Sequence, residues 1–269
     1  MITKYKKFMK DFIPPVLLRA FLRNKKNKMF SGEYSSWREA LKHSTGYDDE
    51  IILKKVKSAL LKVKEGSAVY ERDSVLFEEI QYSWPLLAGL MWIASHSAGE
   101  LDIIDYGGSL GSTYFQNRQF LKSLQRLHWN IVEQKHYVDT GKSDFENDEL
   151  KFYYDLESCL KKNTSNTILF SSVLQYLEKP YELLKKIDKL GFEFILIDRT
   201  PFSNNREDRL CIQKVPPKIY DASYPAWIFS IDKFKNFFRD HEIVTEFYSI
   251  DNEPLSDFEL KGFIIRFNK

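Results

Sequence analysis

The sequence predicts an α/β fold, with a mostly parallel sheet covered by helices on both faces and a helical extension in front of it. Three observations carry that prediction. After Gly99, short apolar runs alternate with helical stretches, which is the pattern of strand–helix–strand units. The run LDIIDYGG empties into glycines that open a helix. The chain then closes differently: SIDKFKNFFRDH leads into HEIVTEFYSI and LKGFIIRF, two apolar runs joined by a polar turn, hence an antiparallel hairpin.

Residues 1–30 form a basic amphipathic segment, read as one or two short helices broken at Pro14-Pro15. It carries Lys4, Lys6, Lys7, Lys10, Arg19, Arg23, Lys25, Lys26 and Lys28 against Asp11 alone. Residues 31–98 read as a helical extension. Ser36 caps a segment starting WREAL, and Asp48 caps DDEIILKKVKSALLKV, whose apolar positions recur at helical spacing. Gly66 ends that helix. A third helix is expected through SVLFEEIQYSWPLLAGLMWIASH, kinked or split at Pro85. Residues 99–269 supply the sheet. LDIIDY, WNIV, LKFYY, NTILFSS and FEFILID make five parallel strands, and the terminal hairpin brings the count to seven. A parallel sheet ending in such a hairpin is the layout of class I, Rossmann-like methyltransferases.

Composition excludes several classes. In 269 residues, 21 Phe, 15 Tyr and 5 Trp exclude disorder as the main description. No apolar run reaches the length of a membrane span, and no secretory leader is expected. Cys159 and Cys211 are far apart and lack CxxC spacing. They are read as free thiols in a reducing cytoplasm, and the five histidines show no metal-ligand spacing, so no metal is expected. A net charge of +2 argues against a nucleic-acid partner.

Five motifs carry chemistry. IIDYGGSLGSTYF is a strand, a glycine turn and a helix start. Glycines let backbone approach a ligand, and the helix start offers free N–H groups. Its spacing departs from the dinucleotide fingerprint G-x-G-x-x-G and lies nearer the D-x-G-x-G-x-G turn of S-adenosylmethionine (SAM) enzymes. Asp105, Gly107, Gly108, Ser109, Gly111 and Tyr114 are therefore candidate cofactor contacts. Glu133 ends the next strand, where an acid accepts hydrogen bonds from ribose hydroxyls; Gln134 follows it, and Asp155 stands at the end of the strand after that. SSVLQYLEKP places Ser171, Ser172 and Gln175 against the methionine end of the cofactor. FILIDRTPF delivers Asp198 as general base and Arg199 as anion clamp to the carboxyl edge of the sheet. QKVPPKIYDASYPAW is read as an acceptor loop with Tyr220, Asp221, Tyr224 and Trp227. VYERDSVLF adds Glu71, Arg72 and Asp73, charged residues that reach over the site, with Arg72 and Asp73 as acceptor contacts.

YERDSVLFEEI, IDYGGSLGSTYFQNR, WNIVEQ, SSVLQYL, IDRTPF and QKVPPKIYDASYPAW, in that order over about residues 30–266, resemble a family of SAM-dependent methyltransferases of bacterial capsule and O-antigen polysaccharide clusters. The resemblance implies methyl transfer, SAM as cofactor and a small-molecule or glycan acceptor. A non-catalytic SAM- or nucleoside-binding module is the alternative. For residues 1–28, two readings stand: peripheral contact with the inner face of the cell membrane, or packing of the apolar residues on the domain.

Overall fold

The computed structural model describes residues 29–46, 49–72, 75–215, 222–252 and 257–268. The basic segment 1–28 and the candidates Asp73, Tyr220 and Asp221 lie outside them.

The extension opens with strand β1 (Phe30–Ser31) and helices α1 (Trp37–Lys42) and α2 (Asp49–Lys64). The Ser36 side chain caps α1 by accepting from the Glu39 amide. The helix expected from residue 74 is not continuous. Tyr70–Arg72 (β2) and Val75–Phe77 (β3) pair as an antiparallel hairpin, and α3 begins only at Trp84 and runs to His96. Pro85 therefore starts this helix, where its missing N–H costs nothing, and does not kink it.

The main sheet follows: β4 (Glu100–Tyr106), α4 (Ser112–Leu121), β5 (Arg126–Val132), α5 (Lys135–Asp144), β6 (Leu150–Tyr153), α6 (Leu156–Leu160), β7 (Thr167–Ser171), α7 (Pro180–Asp188) and β8 (Phe194–Ser203). Strands β6-β5-β4-β7-β8 lie side by side and parallel. After β9 (Arg209–Lys214), β10 (Ser223–Ser230) and α8 (Ile231–Phe237), the chain ends in β11 (Glu242–Tyr248) and β12 (Glu259–Arg266), an antiparallel pair whose β12 also runs antiparallel to β8.

The sheet is larger than seven strands. Both ends of the expected acceptor loop, Gln213–Lys214 and Ser223–Trp227, lie in the antiparallel pair β9–β10, and β10 joins β8 at Phe202–Ser203, beyond the point where β7 stops. With β1 on the edge of β9, eight strands form one path, β1-β9-β10-β8-β7-β4-β5-β6, and β12 and β11 branch from β8 to make a sheet of ten.

Side chains alternate between two cores. Ile103, Phe194 and Leu196 face a layer made with α2, α3, α4 and α5; Ile104, Ile195 and Ile197 face one made with α6, α7 and α8. The extension contributes Ile52, Val56, Leu60, Leu86, Leu90 and Ile93 to the first layer, so it shares a core with the sheet.

Candidate active site

From β4 the chain winds one way to β5 and β6 and the other way to β7 and β8. Ligands of open α/β sheets sit at the carboxyl ends of the strands at such a switch point. A cavity of about 1160 Å³ lies there.

Its floor is the glycine turn. Gly107 has φ +71°, and a Cβ there would stand 2.6 Å from Val173. A Cβ on Gly108 would stand 2.5 Å from the Asp105 carboxylate, so the turn rests directly on that side chain. Asp105 is buried; its Oδ2 accepts from Trp129 Nε1 at 3.0 Å, and Oδ1 is buried with no hydrogen-bond partner. Burial pushes the carboxyl up to about 7, against the Trp129 bond and with a smaller push from Glu133.

Two residues of this motif do not face the cavity. Gly111 caps α4 at φ +101° with Leu150 and Ile131 beside it, a packing position. Tyr114 is fully buried in the core, and its hydroxyl donates to Glu149 at 2.6 Å. Helix phase explains this. Ser112 and Gln116 turn toward the cavity, and Tyr114 is about 200° round the axis from Ser112.

Glu133 and Gln134 border the cavity just past β5, and the Glu133 carboxylate accepts from the Gln134 amide at 2.5 Å. Asp155 also borders it, while its side chain caps α6 through the Ser158 amide at 2.7 Å.

At the ends of β7 and β8 the backbone is bent on purpose. Opposite Gly262 of β12, strand β8 carries two residues, Asp198 and Arg199, between Ile197 and Thr200. This is a bulge, and bulges re-aim side chains. Arg199 takes φ +53° there. A Cβ on Gly262 would stand 2.4 Å from the Ile197 carbonyl oxygen, so glycine is what lets β12 close against the bulge. Four non-glycine residues have positive φ among those described, and three of them (Ser109, Ser172 and Arg199) line the cavity. Backbone strain concentrates at sites the fold over-determines.

The Asp198 carboxylate is buried. It accepts from the Ser249 hydroxyl at 2.7 Å and from Ser83 at 3.4 Å. Burial raises its proton affinity above the ordinary carboxylate range, opposed by the Ser249 bond and the Arg199 charge. The Ser172 amide donates to the Asp198 carbonyl at 3.0 Å. Gln175 donates to Ser172 Oγ and to the Arg199 carbonyl, leaving its own Oε1 buried without a partner. Ser171, Ser172 and Gln175 all line the cavity.

Of the acceptor candidates, Arg72 and Tyr224 line the cavity, Tyr224 edge-on to Tyr176. Trp227 does not. Its indole N–H donates to the Leu177 carbonyl at 3.0 Å and its ring stacks on Trp37, which ties β10 to α1. Sequence reasoning missed Ser83, Ser112, Gln116 and Asp251, and it placed Glu71 over the site without naming it as a contact. All line the cavity, with Glu71 buried and accepting from Ser112 at 2.6 Å. Glu71 and Ser112 stand inside motifs already noticed. Asp251 lies in a polar turn that gives no spacing signal.

The order β6-β5-β4-β7-β8-β12-β11, with β12 antiparallel, is a class I, Rossmann-like methyltransferase fold. No protein-family model and no curated protein matches the chain. Among solved structures, it is similar to the N-terminal domain of EvdMO1 with S-adenosylhomocysteine (SAH) bound, at 12% identity and TM-score 0.49 over 82% of this chain and 98% of that one. The 1,6-didemethyltoxoflavin-N1-methyltransferase of Burkholderia thailandensis is similar at 13% identity and TM-score 0.46, over 83% and 92%. The magnesium protoporphyrin IX methyltransferase of Synechocystis PCC 6803 is similar at 11% and 0.45, over 83% and 99%. No described helix is long and apolar enough to cross a membrane.

Proposed function

We propose that this chain is an enzyme that transfers a methyl group from SAM to an oxygen of a sugar, or of a sugar-linked phosphoryl-type group, in the assembly of bacterial capsule or O-antigen polysaccharide. One observation carries the cofactor: a glycine turn seated on the half-satisfied Asp105, with Glu133 at the next strand end, at the switch point of this sheet. The cavity walls fit the group. Six acids (Glu71, Asp105, Glu133, Asp155, Asp198 and Asp251) face three bases (Arg72, Lys186 and Arg199), which suits a ligand of net positive charge. The polysaccharide setting is supported by the six ordered motifs and by their resemblance alone.

SAM, when bound, supplies a methyl on a sulfonium that needs no further activation. The chain's own residues bind, orient and move a proton. Glu133 and the Gly107–Ser109 turn hold the adenosyl half, with Glu133 on the ribose, and Ser171, Ser172 and Gln175 meet the methionine end. Asp198 accepts the proton of the acceptor hydroxyl; its burial makes it a stronger base than an exposed carboxylate, and Ser249 fixes its orientation. Tyr176 and Tyr224 offer ring faces and edges to a sugar.

Calorimetry with SAM, SAH and NAD tests the reading. SAM and SAH should bind and NAD should not, and methylated product should appear with a surface-polysaccharide precursor. Binding of NAD in place of SAM would overturn it, and SAM binding with no turnover on any such precursor would turn it to the module. We also propose that residues 1–28 bring the chain to anionic lipid, at roughly 1 kcal/mol of attraction per basic residue near the surface. The full chain should then sediment with anionic vesicles at low salt, and a chain starting at Phe30 should not.

A further inference from the structure

One serine of the cavity wall leaves its local task undone. Ser83 is the N-cap of α3, and its carbonyl accepts from the Leu87 amide at 2.9 Å. A serine at such a position ordinarily turns its hydroxyl onto an amide of the first turn. Pro85 removes one of those donors and Leu86 still carries one, yet the Ser83 hydroxyl makes no cap bond. It turns to Asp198, 115 residues on, where Oγ stands 3.4 Å from Oδ2. That is the only hydrogen bond of this hydroxyl among the described residues. It is longer than the roughly 2.7–2.8 Å usual between a hydroxyl and an oxygen. Both residues line the cavity, and both are buried, at 2% and 1% exposure.

Asp198 is held firmly on its other side. The Ser249 hydroxyl accepts from the Arg199 amide at 2.9 Å, so its single proton is directed to Asp198 Oδ1, at 2.7 Å. The Ser172 amide holds the Asp198 carbonyl. One carboxylate oxygen is thereby engaged, and the other, Oδ2, is the one that meets Ser83. Ser83 Oγ and Oδ2 are too far apart for a short mutual bond, and close enough for a third oxygen to touch both at ordinary distance. A hydroxyl seated there donates its proton to Oδ2 and accepts the proton of Ser83. One lone pair is then left to it, and two hydrogen bonds fix where that pair points.

We infer that Ser83 Oγ and Asp198 Oδ2 together seat the acceptor hydroxyl, which makes Ser83, a residue of the helical extension, part of the reacting centre. The inference rests on the proposed function in taking SAM as methyl donor and Asp198 as base. It also chooses between the acceptors of that reading. A neutral sugar hydroxyl has both the proton and the lone pair that this seat requires. An ionised phosphoryl oxygen has no proton to share and would meet the Asp198 carboxylate as a like charge.

Sinefungin, which carries a primary ammonium where SAM carries its methyl, probes this centre without an acceptor, because an ammonium donates to the same two oxygens. Calorimetry gives the ratio of sinefungin to SAH affinity for the full chain, Ser83→Ala, Ser83→Thr and Asp198→Asn. Asp198→Asn should lower the ratio at least tenfold and Ser83→Ala at least threefold, with SAH itself within twofold of the native value. Ser83→Thr keeps the hydroxyl and should keep the ratio. Ser83→Ala should melt like the native chain, because the hydroxyl it removes makes no cap bond. Should the alanine chain misfold, Ser83→Gly, which helix N-caps also accept, repeats the measurement. A native ratio in Ser83→Ala or Ser83→Gly, or an equal loss of SAH and sinefungin, overturns the inference. If only Asp198→Asn lowers the ratio, the base stands and the seat does not. Failure of the native chain to bind either nucleoside would instead overturn the cofactor reading, and the inference with it.

Discussion

The cavity has two halves made of different material. Under β4 and β5 the wall is largely backbone: Gly107, Gly108 and Ser109 in one turn, with Asp105 beneath and Glu133 one strand away. Beyond β7 and β8 the wall is side chains from separated segments. Arg72 comes from a hairpin, Ser83 from the start of α3, Asp198 and Arg199 from a bulge, Asp251 from the stretch between β11 and β12, and Tyr224 from β10. The first half is local and rigid, suited to one fixed ligand. The second is assembled over long sequence distances, so acceptor contacts can change without disturbing the turn.

That division predicts separable defects. Asp198→Asn belongs to the second half and should give the largest effect, a loss of turnover on the order of 10²–10⁴ with SAM affinity nearly unchanged. Native turnover should also fall as pH drops through the raised Asp198 value, because the base must be ionised. Normal turnover in the variant would mean that alignment alone suffices. Glu133→Ala belongs to the first half. It removes hydrogen bonds to a charged acceptor, roughly 1.5–3 kcal/mol each before compensation. SAM affinity should drop at least tenfold in a chain that melts normally, and unchanged affinity would reject the ribose assignment.

The two halves also differed in how far the sequence disclosed them. The glycine turn, Glu133, the strand end at Ser171 and the FILIDRTPF run that holds Asp198 are legible because each is a pattern within a dozen residues. The bulge is not, since it exists only where β8 meets Gly262 of β12, more than sixty residues on. Asp251 enters the site through that same pairing. The β2–β3 hairpin was hidden because VLFEEI carries apolar spacing that fits a helix as well as a strand. Tyr114 and Gly111 were misassigned for a simpler reason: a motif locates a turn, but helix phase decides which of its side chains face the ligand.

Asp105 offers a finer measure of the first half. Its carboxyl, pushed up to about 7, is partly protonated near neutrality. A raised folded value means that this group favours the fold most below its unfolded value near 3.8 and loses that contribution as pH rises through about 7. A ligand that brings a cation or a donor to the orphaned Oδ1 should draw it back to the ionised form. SAM binding at pH 6–7 should then release a fraction of a proton, read from calorimetry in buffers of different ionisation enthalpy. Asp105→Asn should release none and should flatten the pH dependence of stability between about 4 and 7. Equal proton release by the variant would place the titrating group elsewhere.

The smallest effect tests where the second half ends. Trp227 was expected to touch the acceptor, yet its N–H is spent on the Leu177 carbonyl and its ring on Trp37. Trp227→Phe keeps most of the apolar surface but removes that donor and leaves a carbonyl short of a partner. The chain should lose about 1 kcal/mol of stability, measured by denaturant melts. Turnover and SAM affinity should stay within twofold, because no atom of Trp227 lines the cavity. Tyr224→Phe, three residues earlier on the same strand and facing the cavity, is the matched control: its effect should fall on the acceptor KM. A KM effect at Trp227 comparable to that at Tyr224 would extend the acceptor half across β10 to α1. The opposite split would leave Trp227 as the pin that fastens the extension to the sheet.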